Sequence, residues 1–152
     1  MTPFHYFYQL VRVLAICFLF GQNTAFAKGL SKLLINGHSI RTEIVSGVAE
    51  QKLGLGNRES LQEGRGMLFI YSSPGEKIFW MKRMKFAIDI IWIYKGKIVH
   101  IEKQIPPPSI MSSDSALKTY GHGIIADMVL EVTAGYSDKV KMNPGTAILI
   151  QP

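Results

Sequence analysis

The eight-residue run at positions 87–94 constrains the fold of this chain more than any other segment. All of its residues except Asp89 are apolar, and a nearly unbroken apolar run of this length is typical of a central strand in a sheet. Lys95 and Gly96 follow as a turn signal, and residues 97–102 then resume an apolar pattern. We therefore expect a hairpin whose first strand lies inside a sheet.

Turn signals divide most of the remaining chain into short segments. Asn36-Gly37 is the strongest two-residue turn signal and predicts a hairpin across residues 33–45. Ser46 is a candidate cap for a short helix, and three prolines at residues 106–108 must leave the sheet because proline cannot donate to its ladder. The pattern also predicts strands at residues 66–71, 77–84, 127–132 and 147–152, a turn at residues 73–75 and a helical turn within residues 134–142. These segments predict an α+β fold that is mainly β, either a small mixed sheet or a partly closed β-barrel, with one or two short helices.

The N-terminal segment has the pattern of a secretory signal peptide. An apolar run at residues 13–20 follows Arg12 and precedes an Ala-x-Ala site that ends at Ala27. The run is far shorter than the ~20 apolar residues that span a bilayer. We expect residues 1–27 to be a signal peptide, cleavage near Ala27, and a single exported domain at residues 28–152 that is periplasmic or secreted. The first twelve residues carry one cation and four aromatic residues, so an N-terminal membrane anchor is the alternative.

Cysteine content and charge restrict the chemistry of that domain. Cys17 is the only cysteine and lies in the predicted signal peptide, so the mature chain has no disulfide and no thiolate nucleophile. Removing Arg12 leaves 16 basic and 11 acidic residues, a net charge of +5. The cations are scattered except at Lys82, Arg83 and Lys85, which predicts no nucleic-acid partner and is compatible with weak contact to an anionic membrane surface.

Metal and nucleophile motifs are sparse in this sequence. His38, His100 and His122 lie far apart without metal-ligand spacing, so we expect no metal and no cofactor. Residues 112–122 place Ser113 and Ser115 near His122 and Asp114. An extracytoplasmic hydrolase that uses this Ser/His/Asp set is therefore one hypothesis, although a polar loop is the interpretation that we favour.

Several motifs occur in one order that resembles a known family. They are Gly66-Met67-Leu68-Phe69, Trp80-Met81-Lys82, Asp89 in the following strand, and Val129-Leu130-Glu131 with Ala134-Gly135 behind it. From about residue 33 to residue 150 the chain is similar to the uncharacterised bacterial family called domain of unknown function 192 (DUF 192). The resemblance implies an exported or membrane-associated protein and no assigned reaction. Arg83 and Met84 stand where the family usually has Asn and Thr. If the Asn and Thr side chains bind a ligand in relatives, the resemblance implies that this binding is lost or changed in the present chain.

Cations beside aromatic residues suggest a ligand site. In a strand, Trp80 and Lys82 would point to one face and Arg83 to the other. One interpretation is a groove floored by Trp80 and Tyr71 in which Lys82, Arg83 or Arg58 meets an anionic group. The alternative is that Trp80 and Met81 fill the core, with the cations at its edge.

Asp89 completes the candidate set because a carboxylate among apolar residues needs a partner. We expect it to be paired with Arg83, Lys82 or Arg58, or to accept hydrogen bonds from the backbone. The sequence thus favours a non-enzymatic envelope module that binds a small anionic ligand or an envelope protein at Arg58, Trp80, Lys82, Arg83 and Asp89. A structural protein that presents a β-edge to its partner is a further alternative.

The export prediction can be checked at the N-terminus of the protein recovered from cells that express the full chain. We expect intact-mass measurement and N-terminal sequencing to identify Lys28 as the first residue. Replacing the small residue of the cleavage site, Ala27→Leu, should leave the precursor uncut in the membrane fraction. Mature protein that retains Arg12 would identify the anchored alternative instead.

Overall fold

The computed structural model describes residues 30–109 and 116–151, and the predicted signal peptide lies outside these described residues. Its elements are β1 (Leu30–Ile35), β2 (His38–Val45), α1 (Val48–Leu53), β3 (Arg65–Glu76), β4 (Phe79–Trp80), β5 (Ile88–Tyr94), β6 (Lys97–Ile105), β7 (Thr119–Tyr120), β8 (Ile125–Thr133), α2 (Tyr136–Lys139) and β9 (Leu149–Gln151). The α+β, mainly β prediction with two short helices is confirmed. Neither helix of the described segments is long and apolar enough to cross a membrane.

Seven strands form one mixed sheet in the order β6-β5-β8-β3-β2-β1-β9. β2 and β3 are parallel, and the other neighbours are antiparallel. β4 and β7 pair separately as a two-stranded sheet. The seven-stranded sheet does not close into a barrel, although Lys97 of β6 forms an isolated bridge with Ala147 just before β9. The mixed-sheet form of the prediction is confirmed.

Two hairpins follow the predicted turn signals. Asn36 and Gly37, between β1 and β2, have φ of 49° and 79°, and Lys95 and Gly96, between β5 and β6, have φ of 50° and 71°. Positive φ at both central residues matches the right-handed twist of the flanking strands, which is why Asn-Gly is favoured in such turns. Both hairpin predictions are confirmed, and β6 ends at Ile105, directly before the three prolines.

Three local predictions were wrong. The cap of α1 is Gly47 rather than Ser46, and it makes no side-chain cap hydrogen bond. Residues 73–75 lie within β3, where the pairing with β8 is irregular between Ile70 and Gly75. The strand predicted at residues 77–84 shrinks to the two residues of β4.

A turn replaces the remainder of that predicted strand. The N–H of Met84 donates to the carbonyl of Met81 at 3.1 Å, and Arg83 has φ of 59°. Phe79, Met81 and Met84 are all buried in one apolar cluster. The turn allows all three to reach the core, because strict alternation along a strand would send Met84 to the face opposite the other two.

The central strands of the seven-stranded sheet are buried on both faces. We call the face that carries Ile88, Ile90 and Trp92 face A, and the face that carries Ile91 and Ile93 face B. Each of these five residues is no more than 1% exposed, and each face has its own apolar cluster. Burial on both faces explains why the central strand β5 is almost entirely apolar.

Asp89 lies on face B, fully buried, and its carboxylate accepts four hydrogen bonds. The donors are the N–H of Gln104 at 2.8 Å, the N–H of Gly135 at 3.1 Å, and the N–H and Oγ of Ser137 at 2.9 and 2.7 Å. These bonds tie the irregular end of β6 and the start of α2 to β5. Asp89 therefore accepts hydrogen bonds mainly from the backbone, which is the second of the two arrangements expected from the sequence.

Loss of this carboxylate should destabilise the fold more than loss of any one of its donors. Asp89→Ala leaves buried N–H groups without an acceptor, and we expect the free energy of unfolding to fall by roughly 3–5 kcal/mol. Ser137→Ala removes one hydroxyl donor and should cost about 1 kcal/mol. Urea denaturation followed by circular dichroism measures both. Equal losses in the two variants would contradict this role of Asp89.

Candidate functional site

A recess of about 240 Å³ opens on face A between α1 and the strands β3, β4 and β8. Aromatic side chains form its walls: Phe69 and Tyr71 from β3, and Phe79 and Trp80 from β4. Glu131, from β8, is the one polar side chain of the described lining that is buried, at 4% exposure. Its carboxyl therefore forms the floor of the recess.

The pairing of β3 with β8 determines where this carboxyl points. Met67 lies opposite Glu131 and Phe69 lies opposite Val129 in the antiparallel register. Directly opposite residues of antiparallel strands project to the same face of a sheet. Since Met67, Phe69 and Val129 all belong to the apolar cluster of face A, the side chain of Glu131 enters that cluster.

Burial changes the protonation of Glu131. Desolvation raises the pKa of its carboxyl from 4.5 to about 8, and the positive charge of Arg58 opposes this shift. Oε2 of the carboxyl is buried and has no hydrogen-bond partner among the described residues. At neutral pH the floor of the recess is therefore mostly a protonated carboxyl with an unused hydrogen-bonding atom.

Gly54 keeps this atom open to the recess. It follows α1 with φ of 52° and ψ of −133°, a conformation that favours glycine. A Cβ at this position would lie 3.4 Å from Cζ of Phe69 and 3.7 Å from Oε2 of Glu131. The missing side chain therefore leaves the space beside the carboxyl free.

The helix α1 covers one side of the recess. Nε2 of Gln51 donates to the carbonyl oxygen of Ile70 in β3 at 3.1 Å, which fixes α1 against the sheet. No residue of α1 is buried, and Val48 and Leu53 are 69% and 49% exposed. The helix thus forms a wall of the site without filling the core.

Positive side chains surround the opening of the recess. Lys52 from α1 and Lys82 after β4 line it together with Trp80, which is 44% exposed. An adjoining groove is also lined by these three residues and adds Arg83. We call Lys52, Trp80, Lys82 and Arg83 the mouth.

The structure brings together three of the five site residues that the sequence suggested. Trp80, Lys82 and Arg83 meet at the mouth, although they do so through a turn rather than a strand. Arg58 lies beside the recess without lining it, and its Nη1 and Nη2 donate to the two carboxylate oxygens of Glu43 at 2.6 and 2.9 Å. Asp89 lies on the opposite face of the sheet.

Lys52, Gly54 and Glu131 belong to the site but were not assigned to it from the sequence. For Glu131 a signal existed, since a carboxyl within an apolar strand needs an explanation just as Asp89 did. For Lys52 none existed, because a lysine on a short helix usually lies on a solvated face.

The residues of the hydrolase hypothesis are only partly described. Ser113, Asp114 and Ser115 lie outside the described residues. His122 is exposed, and its Nε2 lies 2.8 Å from Oγ1 of Thr119. The hypothesis therefore stays a prediction.

The buried carboxyl should make stability depend on pH. Because the folded state raises the pKa of Glu131 to about 8, its contribution to stability is fully present below pH 4.5 and is lost as the pH rises through 8. The original protein should therefore lose stability as the pH rises, whereas Glu131→Gln, which has no carboxyl at this position, should not. Between pH 5 and pH 9 the free energy of unfolding of the variant should rise by on the order of 4 kcal/mol relative to that of the original protein.

Urea denaturation of both proteins across this pH range measures the difference, with Glu102→Gln on β6 as a control for loss of a carboxyl from a half-exposed side chain. A difference for Glu131→Gln that stays constant with pH would mean that the carboxyl is ionised throughout.

Comparison with known proteins agrees with this architecture. A solved structure from Sinorhizobium meliloti 1021, of a protein whose name suggests a role in transcription regulation, matches with a TM-score of 0.67 at 22% identity, covering 79% of this chain and 91% of that one. A protein of unknown function from Novosphingobium aromaticivorans DSM 12444 matches with a TM-score of 0.69 at 22% identity, covering 85% of this chain and 99% of that one. These identities support the fold alone, and no curated protein matches. The model of the family DUF192, described as Uncharacterized ACR, COG1430, matches residues 31–150, which is most of the chain. This chain belongs to the DUF192 family.

Proposed function

We propose that this protein is an exported, non-enzymatic binding module that holds a small anionic ligand, or an anionic group of an envelope protein, at the mouth of the recess. The observation that carries the proposal is the grouping of Lys52, Lys82 and Arg83 around the exposed indole of Trp80. Cations that converge beside an aromatic surface supply both charge and contact area to an anionic ligand.

The size of the recess supports a small occupant. Its volume of about 240 Å³ is below the ~300–1,000 Å³ that is usual for sites of drug-sized molecules. A molecule of a few carbon atoms, or one end of a longer chain, fits this space. An anionic group at the mouth would remain near solvent, where desolvating it costs little.

Binding rather than catalysis is favoured by the residues of the site. Within the described part of the chain, the lining of the recess contains no serine, threonine, cysteine or histidine, and therefore no nucleophile–base pair of the Ser–His or Cys–His kind. Export is favoured by the apolar run behind Arg12 and the Ala-x-Ala site.

Titration of isotopically labelled protein, purified from expression of the full chain, with succinate and with inorganic phosphate tests the proposal by nuclear magnetic resonance. We expect saturable shifts of the Trp80 indole and of the amides of Lys82 and Arg83. Replacing both Lys52 and Lys82 by Gln should weaken succinate binding by about 5–10-fold, since partly exposed ion pairs contribute up to ~1 kcal/mol each.

Lys97→Gln on β6 removes one exposed cation that lines neither the recess nor the adjoining groove, and it should leave the affinity unchanged. Shifts centred on the cross-strand row of Lys32, Arg41 and Arg65 would place the anion site elsewhere and contradict the proposal.

A further inference from the structure

We infer that the ligand also carries an ammonium group, which enters the recess and binds the carboxyl of Glu131, so that the ligand is a small zwitterion with its amine at the floor and its anionic group at the mouth. The anionic end of this ligand rests on the proposed function. The amine end rests on separate observations of the floor and walls.

The first observation is the unsatisfied carboxyl. Glu131 is 4% exposed, lines the recess, and leaves Oε2 without a hydrogen-bond partner among the described residues. A buried polar atom in this state costs free energy that a donor from a ligand would recover. An ammonium group offers three donors and a charge opposite to that of the ionised carboxylate.

The second observation is the composition of the walls. Phe69, Tyr71, Phe79 and Trp80 surround the space above the carboxyl, and the rings of Phe69 and Phe79 pack edge to face at 5.0 Å. The faces of aromatic rings attract cations and repel anions. Walls rich in aromatic rings therefore suit an ammonium group better than the anionic end of a ligand.

The third observation is access. Gly54 stands where a Cβ would contact both the ring of Phe69 and Oε2 of Glu131. An ammonium group that occupies this space can reach the carboxyl directly.

Charges around the floor select a zwitterion over a simple amine. The charge of Arg58, after α1, acts on Glu131, and Tyr71 from β3 interacts with it electrostatically. Lys52 from α1 and Lys82 after β4 line the same recess. The two lysines repel a lone ammonium group at the entrance, whereas a carboxylate on the same molecule neutralises them. Burial holds the pKa of Glu131 at about 8, so that at neutral pH the incoming ammonium group displaces the carboxyl proton into solvent.

Isothermal titration calorimetry of the protein purified from the full chain tests this with three matched compounds: 5-aminopentanoate, pentanoate and butylamine. We expect 5-aminopentanoate to bind at least about tenfold more tightly than pentanoate, because a charge-assisted hydrogen bond contributes more than a neutral one. At pH 7 its binding should release close to one proton, read from the dependence of the heat on the ionisation enthalpy of the buffer. At pH 9 the release should largely disappear.

Variants separate this inference from the proposed function. Glu131→Gln, which matches the shape of the carboxyl, should abolish the advantage of 5-aminopentanoate and the proton release while leaving pentanoate within about twofold. Glu102→Gln should change neither.

Equal affinities for 5-aminopentanoate and pentanoate, with both still dependent on Lys52 and Lys82, would overturn the amine site and leave the anion site intact. Binding of butylamine that depends on Glu131, without any binding of pentanoate, would overturn the anion site and the zwitterion, and it would support only Glu131 as the site of an ammonium group.

Discussion

Burial of the central strands on both faces is the constraint on which the rest of this structure depends. β3, β5 and β8 have apolar clusters above and below them, so a polar side chain that lies within either cluster loses its water. Two carboxyl groups are nevertheless buried there, Asp89 on face B and Glu131 on face A. Asp89 is satisfied by four donors, whereas one oxygen of Glu131 has no hydrogen-bond partner in the part of the chain that the structure describes.

The two carboxyl groups therefore serve different purposes within one sheet. The bonds to Asp89 connect β5 with the end of β6 and with α2, so its burial supports the fold. The carboxyl of Glu131 has a raised pKa and faces a recess with aromatic walls, which is an expensive arrangement for stability alone. A buried group whose pKa is strongly perturbed, in a concave site, is the kind of residue that proteins use for function.

The mouth of the recess depends on short, irregular elements. α1 has six residues, β4 has two, and the turn after β4 places Arg83 at positive φ. The sheet fixes the floor, and these connecting segments bring the cations to its edge. This division is common, since binding residues often lie on loops that a rigid scaffold positions.

Local sequence signals made part of the fold and part of the candidate site predictable. Asn36-Gly37 and Lys95-Gly96 specify hairpins because their backbone preferences are intrinsic to the dipeptides. The apolar run of β5 indicates a strand buried on both sides because no solvated face would tolerate it. The grouping of Trp80 with Lys82 and Arg83 was anticipated because these residues are neighbours in the chain.

The remaining features depend on partners distant in sequence. Whether residues 77–84 extend or turn was decided by the core, which draws Met81 and Met84 inward together. The carboxyl of Glu131 became the floor of a site because β3 and β8 pair in one register and α1 lies beside them. The sequence by itself determined a mainly β domain, its hairpins and its need to satisfy buried carboxyl groups. Only the tertiary structure decided which carboxyl found donors and which was left facing a recess, because that outcome depends on long-range packing that no local pattern encodes.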